Sequence, residues 1–263
     1  MAAATRHELD GPAGRLSWLR AGEAGAGGSP VLLVHPINLQ AACWERVVAG
    51  LAPRRCVAPD LRGHGRSAAD GPFGLAEWTA DCVAVLDAAG IERAHVVGGS
   101  LGGTIAVALA AMLPERVASV TAIGSTLAVE GADLDAVVAI LREKGVAGMF
   151  REVIPQISVA PGTSPELIEE LLALANPNGP DTVIAIWQAV LATDARARAH
   201  DVRCPVLVVS GELDRTCPPE QARELAERTG GRLELIPGVG HLPVLESPDA
   251  LLDLLRPHLA AAD

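Results

Sequence analysis

A strand-to-helix turn at residues 94–104 constrains the fold of this chain more than any other feature of the sequence. A short apolar run at 95–97 leads into the letters GGSLG at 98–102, and residues 104–112 continue as an apolar helical segment. The pattern G-x-S-x-G between a strand and a helix is typical of a nucleophile elbow, a sharp turn that presents a serine above the end of a strand. Glycine is abundant here, with 27 in 263 residues, so the flanking strand and helix are what support the prediction.

Ser100 is the predicted nucleophile at this turn. It needs small residues two positions before and after it, because the incoming strand and the outgoing helix nearly touch. Gly98 and Gly102 supply that clearance. The Leu101 N–H is expected at the helix N-terminus, facing the place where an oxyanion would form.

Two residues farther along the chain complete the pattern in the order acid, then histidine. Asp214 follows one buried strand, and His241 follows the next. Each alone is more often a surface turn residue or a loop residue near a helix start. The carboxyl ends of parallel strands open onto one crevice, so Ser100, Asp214 and His241 are expected to converge there as a catalytic triad. The strand at 117–124 ends without an acid, which leaves Asp214 as the predicted partner of His241.

Strands and helices alternate along most of the chain, after a hairpin with its turn at 11–14. Strands are predicted near 31–34, 55–58, 94–98, 117–123, 205–210 and 232–236, and helices near 41–51, 75–89, 101–113, 219–229 and 247–259. Alternation of this kind indicates parallel pairing with right-handed crossovers. The predicted fold class is therefore α/β, a mostly parallel central sheet of about eight strands flanked by helices.

The alternation is interrupted between Ser125 and about Arg203, where apolar residues follow a helical spacing without strand patterns. We predict that residues 126–200 form a helical cap, inserted in a core made of residues 1–125 and 201–263. The candidate substrate-binding residues of this cap are mostly apolar, namely Met149, Phe150, Ile154, Ile157 and Trp187. Packing within the cap explains the same residues, so both interpretations stay open.

With the triad in place, the chain resembles the α/β-hydrolase fold superfamily of serine hydrolases over nearly its whole length. The stretch VLLVHPIN at 31–38 is similar to the family's strand ending in His-Gly. The stretch PDLRGHGRS at 59–67 is similar to its P-D-x-R-G-x-G-x-S loop, which is a specific motif.

The resemblance also implies an oxyanion hole, in which Ile37 provides a second N–H beside that of Leu101. Two positions depart from the family pattern. Pro36 stands where glycine is usual, and Gly99 stands where a larger residue often precedes the serine. Proline lacks an N–H, but the donor belongs to the next residue, so the hole is expected to survive with an altered backbone path.

Within the superfamily, the chain is most similar to β-ketoadipate enol-lactonases and small carboxylesterases, on these motifs and on helical segments at 139–149 and 187–194. The resemblance implies hydrolysis of an ester or lactone of a small, fairly apolar substrate through an acyl-enzyme on Ser100, without a cofactor. The same triad also serves C–C bond hydrolysis, thioester cleavage, perhydrolysis of the cofactor-free haloperoxidase kind, or a lyase reaction. Related scaffolds also bind ligands without catalysis.

Composition narrows the expected partners. The formal net charge of −11 disfavours nucleic acid and anionic membranes, and no apolar run is long enough to span a bilayer. The first ten residues carry no signal-like apolar region, and five scattered cysteines without metal-ligand spacing fit a reducing cytoplasm. We therefore expect a cytoplasmic enzyme without a metal that acts on a small molecule, with homo-oligomerisation left open. The lack of tyrosine and the serine nucleophile argue against epoxide hydrolases and haloalkane dehalogenases.

Overall fold

A computed structural model describes residues 4–263, so the first three residues of the predicted core lie outside it. The strands of the described chain are β1 Thr5–Gly11, β2 Gly14–Ala21, β3 Val31–Val34, β4 Cys56–Pro59, β5 Ala94–Gly99, β6 Val117–Ile123, β7 Val206–Gly211 and β8 Arg232–Ile236. They form one eight-stranded sheet in the spatial order β1-β2-β4-β3-β5-β6-β7-β8. Strand β1 pairs antiparallel with β2, and β2 with β4, whereas all other neighbours are parallel.

The predicted α/β fold class is confirmed by this sheet and by the helices around it. The helices are α1 Glu45–Gly50, α2 Leu75–Ala88, α3 Leu101–Met112, α4 Leu134–Val153, α5 Pro165–Ala173, α6 Pro180–Leu191, α7 Pro219–Thr229, α8 Pro243–Glu246 and α9 Pro248–Ala260. Strands β3 to β7 are buried along their whole length, as expected for parallel strands covered on both faces.

Two predicted helices differ in detail from the structure. The helix expected at 41–51 begins as a 3₁₀ turn, Ala41–Trp44, and only then becomes α1. The Ala41 N–H donates to the buried Asp60 carboxylate at 2.8 Å, which ties this start to the loop after β4. The segment before α9 was expected to be a loop, but it contains the short helix α8. Ser247, with φ −149° and ψ 62°, separates α8 from α9.

The chain between β6 and β7 is helical, with α4, a wide helical turn at Ile154–Ser158, α5 and α6. Gly145 interrupts α4 with φ 68° and ψ −178°, a conformation that glycine adopts without a Cβ penalty. An isolated antiparallel bridge joins Ala128 to Asp194, so the two ends of the insertion lie together. The assignment of residues 126–200 as a cap, inserted in a separate core, stays a prediction.

Alternate residues of each central strand enter two apolar cores, one on each face of the sheet. In β3, Leu32 and Val34 belong to one core, and Val31 and Leu33 belong to the other. Apolar residues of the insertion extend the second core, namely Leu141, Met149, Phe150, Leu171 and Val183. The insertion is therefore packed on the sheet's own core.

Candidate active site

Ser100 lies between β5 and α3 in a backbone conformation that few residues other than glycine adopt. Its φ is 50° and its ψ is −119°. Conformations of this kind cost on the order of 1–3 kcal/mol and persist only where the surroundings hold them. Two hydrogen bonds hold Ser100 in this conformation. The Ser100 N–H donates to the Ile123 carbonyl at 2.8 Å, and the Ser125 hydroxyl donates to the Ser100 carbonyl at 2.9 Å.

The glycines around Ser100 are needed for close backbone approach. A Cβ at Gly98 would overlap the carbonyl oxygen of Gly102, so strand and helix meet there as the sequence argument requires. A Cβ at Gly102 would instead overlap the carbonyl oxygen of Val34, on the neighbouring strand β3. Gly102 thus also keeps the start of the helix close to β3, a contact that the sequence did not indicate.

Asp214 and His241 form a buried, hydrogen-bonded pair at the ends of β7 and β8. His241 Nδ1 lies 2.9 Å from Asp214 Oδ2. The other carboxylate oxygen, Oδ1, accepts the N–H groups of Thr216 at 2.9 Å and Cys217 at 2.8 Å. A carboxylate can only accept, so Nδ1 carries the proton and Nε2 is left as the basic nitrogen.

Gly124, just after β6, is packed against this pair. A Cβ at Gly124 would lie 3.2 Å from His241 Nδ1 and 3.3 Å from Asp214 Oδ2, and its φ of 53° also favours glycine. Position 124 therefore leaves no room for an acidic side chain. This agrees with the choice of Asp214 from the sequence.

The loop after β3 carries Ile37, and the start of α3 carries Leu101. Within residues 4–263, neither backbone N–H donates a hydrogen bond to another group of the chain. His35 fixes the loop from below: its Nδ1 lies 2.7 Å from the Pro36 carbonyl oxygen, and its Nε2 accepts the Leu61 N–H at 3.0 Å. Burial lowers the pKa of His35, which keeps this bridge neutral. The loop thus leaves the Ile37 donor unused.

Pro36 and Gly99, the two departures from the family pattern, are neighbours. A Cβ at Gly99 would lie 3.1 Å from Pro36 Cγ and 3.3 Å from Pro36 Cδ. The proline ring thus lies against the bare backbone of the residue that precedes Ser100. A side chain at position 99 would crowd the Pro36 ring, so glycine at 99 is compatible with proline at 36.

Two cavities adjoin these residues. The large cavity has a volume of about 620 Å³ and is lined by His241 and by all five candidate substrate-binding residues, Met149, Phe150, Ile154, Ile157 and Trp187. The small cavity has a volume of about 60 Å³ and is lined by Ser100 and Leu101. The two share four wall residues, Ile37, Val129, Trp187 and Thr216. The binding role of the five residues stays a prediction.

Glu246, which the sequence analysis did not single out, holds the loop on both sides of His241. Its carboxylate accepts the N–H groups of Gly240 at 3.0 Å, Leu242 at 2.9 Å and Ala160 at 2.8 Å. The only signal for it in the sequence is a carboxylate five residues after His241, too common a spacing to interpret without the loop's path.

Neither a reactive cysteine nor a metal-binding cluster is found at this site within residues 4–263. Cys217 is near the site and lines the small cavity, but burial raises the pKa of its thiol, so little reactive thiolate forms. No group of three or more His, Cys, Asp or Glu side chains within 4–263 is placed to hold a metal ion. None of the helices in this described part is both long and apolar enough to cross a membrane.

Residues 31–254 match the model of the alpha/beta hydrolase family, and the chain belongs to that family. It is 32% identical over 277 residues to the rhodomycin D methylesterase DnrP of Streptomyces peucetius, covering 89% of this chain and 92% of the relative. It is also 30% identical over 257 residues to the dihydrolipoyllysine-residue acetyltransferase component of the acetoin cleaving system of Pseudomonas putida, covering 92% of this chain and 67% of the relative.

Among solved structures, the enol-lactonase from Burkholderia xenovorans LB400 is similar, with a TM-score of 0.89. The comparison covers 97% of this chain and 100% of that chain at 24% identity, a likeness that concerns the fold. The predicted membership of the α/β-hydrolase superfamily is confirmed, and the family is one of hydrolases.

Proposed function

We propose that the protein is a serine hydrolase that cleaves an ester or lactone of a small, fairly apolar substrate through an acyl-enzyme on Ser100. The observation that carries the proposal is the buried Asp214–His241 pair at the ends of β7 and β8, together with Ser100 in an elbow conformation at the end of β5. The methylesterase relative agrees with ester cleavage.

The reaction follows from the protonation states of these groups. His241 Nε2 takes the Ser100 proton as the hydroxyl oxygen attacks the carbonyl carbon, and Asp214 stabilises the imidazolium that forms. The oxyanion is bound by the N–H groups of Ile37 and Leu101, both without a hydrogen-bond acceptor within residues 4–263. His241 then protonates the leaving oxygen, and afterwards activates the water that releases the acid.

The role proposed for residues 126–200 is substrate selection. They supply apolar walls to the large cavity, including Met149 and Phe150, and contain none of the proposed triad. Pockets of about 300–1,000 Å³ with few polar groups are typical of small-molecule sites. The volume and lining of the large cavity agree with a small, mostly apolar substrate.

Labelling with a fluorophosphonate probe tests the proposal directly. The probe should modify the wild-type protein at Ser100 and fail on Ser100→Ala. Ser158→Ala is the matched control, since Ser158 lines the large cavity without an elbow conformation, and it should label like wild type. Labelling that persists in Ser100→Ala would overturn the assignment of the nucleophile.

A second candidate function is transfer of the acyl group to a thiol in place of water, which the acetyltransferase relative favours. Both reactions share the acyl-enzyme and differ only in the group that resolves it. With p-nitrophenyl acetate as donor and dihydrolipoamide present, a hydrolase gives acetate. A transferase gives the S-acetyl thioester in proportion to the thiol concentration.

A further inference from the structure

The two cavities contact different members of the proposed triad. The small cavity reaches Ser100 but not His241, whereas the large cavity reaches His241 but not Ser100. Trp187 and Ile37 stand in the wall between them. A carbonyl attacked by Ser100 in the Ile37–Leu101 hole would therefore have one substituent in each cavity.

The position of the leaving oxygen determines which substituent of the carbonyl lies in which cavity. His241 must protonate the leaving oxygen, so this oxygen has to lie within hydrogen-bonding distance of the imidazole. The alcohol part of an ester therefore belongs in the cavity that His241 lines, which is the large one. The acyl part is left for the small cavity beside Ser100.

The small cavity limits the size of that acyl part. Its volume of about 60 Å³ is space for about four to six water-sized groups, since a water needs about 10–15 Å³ of cavity volume on this measure. Leu127 and Val190 in its wall are buried at 2% and 4% exposure, so the wall is closely packed. The large cavity, at about 620 Å³, holds roughly ten times more.

The small cavity also excludes a charged acyl tail. Among the described residues 4–263, none that lines it is charged, and its threonine hydroxyls are already engaged with backbone carbonyls. Thr104 donates to the Thr126 carbonyl at 2.7 Å, Thr193 to the Ala189 carbonyl at 3.0 Å, and Thr216 to the Ile157 carbonyl at 3.1 Å. A carboxylate placed there would lose its hydration and would meet no cation in the wall, although the Trp187 Nε1–H has no hydrogen-bond partner within residues 4–263.

From this arrangement we infer that the substrates are esters of a short, uncharged acyl group, of acetyl to butyryl size, with a larger apolar alcohol. The inference rests on the proposed function and narrows it to one orientation of the ester. Water adds across the acyl–oxygen bond, so the products are a short carboxylic acid and the free alcohol.

A pair of isomeric esters tests the orientation in the wild-type protein. Hexyl acetate and methyl heptanoate contain the same atoms and differ only in which side of the carboxyl group carries the chain. We expect kcat/KM for hexyl acetate to exceed that for methyl heptanoate by at least about 100-fold, since misfitted methylenes cost about tenfold or more each. Equal rates, or faster cleavage of methyl heptanoate, would overturn the inference.

Two matched variants test whether the small cavity is responsible for the preference for short acyl chains. Val190→Ala enlarges the small cavity alone, and Val153→Ala makes the same change in the large cavity alone. Val190→Ala should raise the hexanoate-to-acetate ratio of kcat/KM about tenfold, whereas Val153→Ala should leave it unchanged. Trp187→Ala, which opens the shared wall, should reduce the preference between the isomers. An unchanged acyl preference in Val190→Ala, or an equal shift in both valine variants, would contradict the inference.

Failure of this inference is distinguishable from failure of the proposed function. If Ser100 takes the fluorophosphonate label and methyl heptanoate is the better substrate, only the orientation is wrong. If no ester is cleaved and Ser100 is not labelled, the serine hydrolase proposal falls and this inference falls with it.

Discussion

Asp214 divides its two carboxylate oxygens between different partners. Oδ1 accepts two backbone N–H groups, and Oδ2 lies against His241. Because the backbone contacts require an acceptor, an asparagine at this position would keep its oxygen there and turn its amide NH₂ toward His241 Nδ1. The imidazole would then carry its proton on Nε2 and could not accept one from Ser100.

Asp214→Asn should therefore lower kcat by about 10⁴-fold while leaving the melting temperature nearly unchanged. Steady-state kinetics and thermal melting measure the two effects separately. Asp133→Asn is the matched control, because Asp133 also accepts a backbone N–H, from Ala136 at 3.1 Å, on the wall of the large cavity. Activity of Asp214→Asn within tenfold of wild type would mean that another carboxylate orients His241.

The effects of substitutions at Gly99 and Pro36 on kcat are expected to depend on each other. Gly99→Ala brings a methyl group to 3.1 Å from the Pro36 ring, so the loop must shift by a few tenths of an ångström and carry the Ile37 N–H with it. We expect kcat to fall about tenfold, since small misplacements of catalytic groups are costly. Adding Pro36→Gly should restore most of the activity, and the double-mutant cycle gives the coupling.

Gly179→Ala is the control for a glycine substitution in general, because a Cβ there meets nothing within 4 Å. It should leave activity unchanged. If Pro36→Gly does not rescue Gly99→Ala, the two departures from the family pattern are independent.

At the scale of elements, Glu246 joins α8 to the loop that carries His241 and to the insertion. It ends α8, its carboxylate accepts Gly240 and Leu242 N–H groups on either side of the histidine, and it also accepts Ala160 from the insertion. The His241 N–H itself donates to the Ser158 carbonyl at 3.0 Å. The position of the imidazole is thus set jointly by α8 and by the segment after α4.

Glu246→Ala should lower kcat about 100-fold with little change in KM, because His241 loses its orientation while the cavity walls remain. Glu246→Gln should keep part of the activity, since its amide oxygen still accepts. The unfolding free energy should fall by about 1–3 kcal/mol in Glu246→Ala, as backbone donors lose a charged partner. Kinetics well below the melting temperature, with the rate of fluorophosphonate labelling, measure the effect.

Glu212→Ala is the matched control, since the exposed Glu212, which follows β7, accepts a single N–H from the His241 loop, that of Gly238 at 3.0 Å. Its kcat should stay within about twofold of wild type. A loss of stability in Glu246→Ala with an unchanged kcat would show a purely structural role.

The elements of the main sheet could be predicted because each has a local signature. Strand β5 and helix α3 are marked by apolar runs around a glycine-rich turn, and both occur where expected. The boundary between α8 and α9 depends on one bend at Ser247, which no periodicity signals.

At the site, the members of the proposed triad could be chosen from strand ends and chain order alone. The carboxylate of Glu246 and the contact of Pro36 with Gly99 could not, because both depend on loop paths set by packing between distant segments. The partition into two cavities depends on where Trp187 lies between sheet and insertion, which a sequence pattern does not determine.

For the molecule as a whole, buried histidines link its stability to pH. His35 and His64 lie under the loops that follow β3 and β4, with ring centroids 4.9 Å apart. His64 Nε2 is buried and has no hydrogen-bond partner within residues 4–263. Burial lowers the pKa of His35 and, more strongly, of His64, and each ring would repel charge on the other. Burial also lowers the pKa of His95 and His258.

The free energy of unfolding is therefore expected to decrease as the pH falls below 6.5, the ordinary pKa of histidine. In that range the unfolded chain binds protons that the folded chain does not, so the free energy of unfolding rises with pH and is lost on acidification. A histidine that stays neutral in the folded protein contributes at most about 1.3 kcal/mol to the loss between pH 7 and pH 5.5, and His35, His64, His95 and His258 all contribute. Asp263, whose pKa is lowered chiefly by its hydrogen bonds with Arg54, adds its own loss only below about pH 4, outside this window.

Urea unfolding at both pH values measures the loss, and an unchanged m-value shows that the same transition is compared. His64→Gln should reduce the pH dependence more than the same change at His35, His95 or His258, because the pKa of His64 is lowered most strongly; an equal slope in this variant would mean that other groups take up the protons.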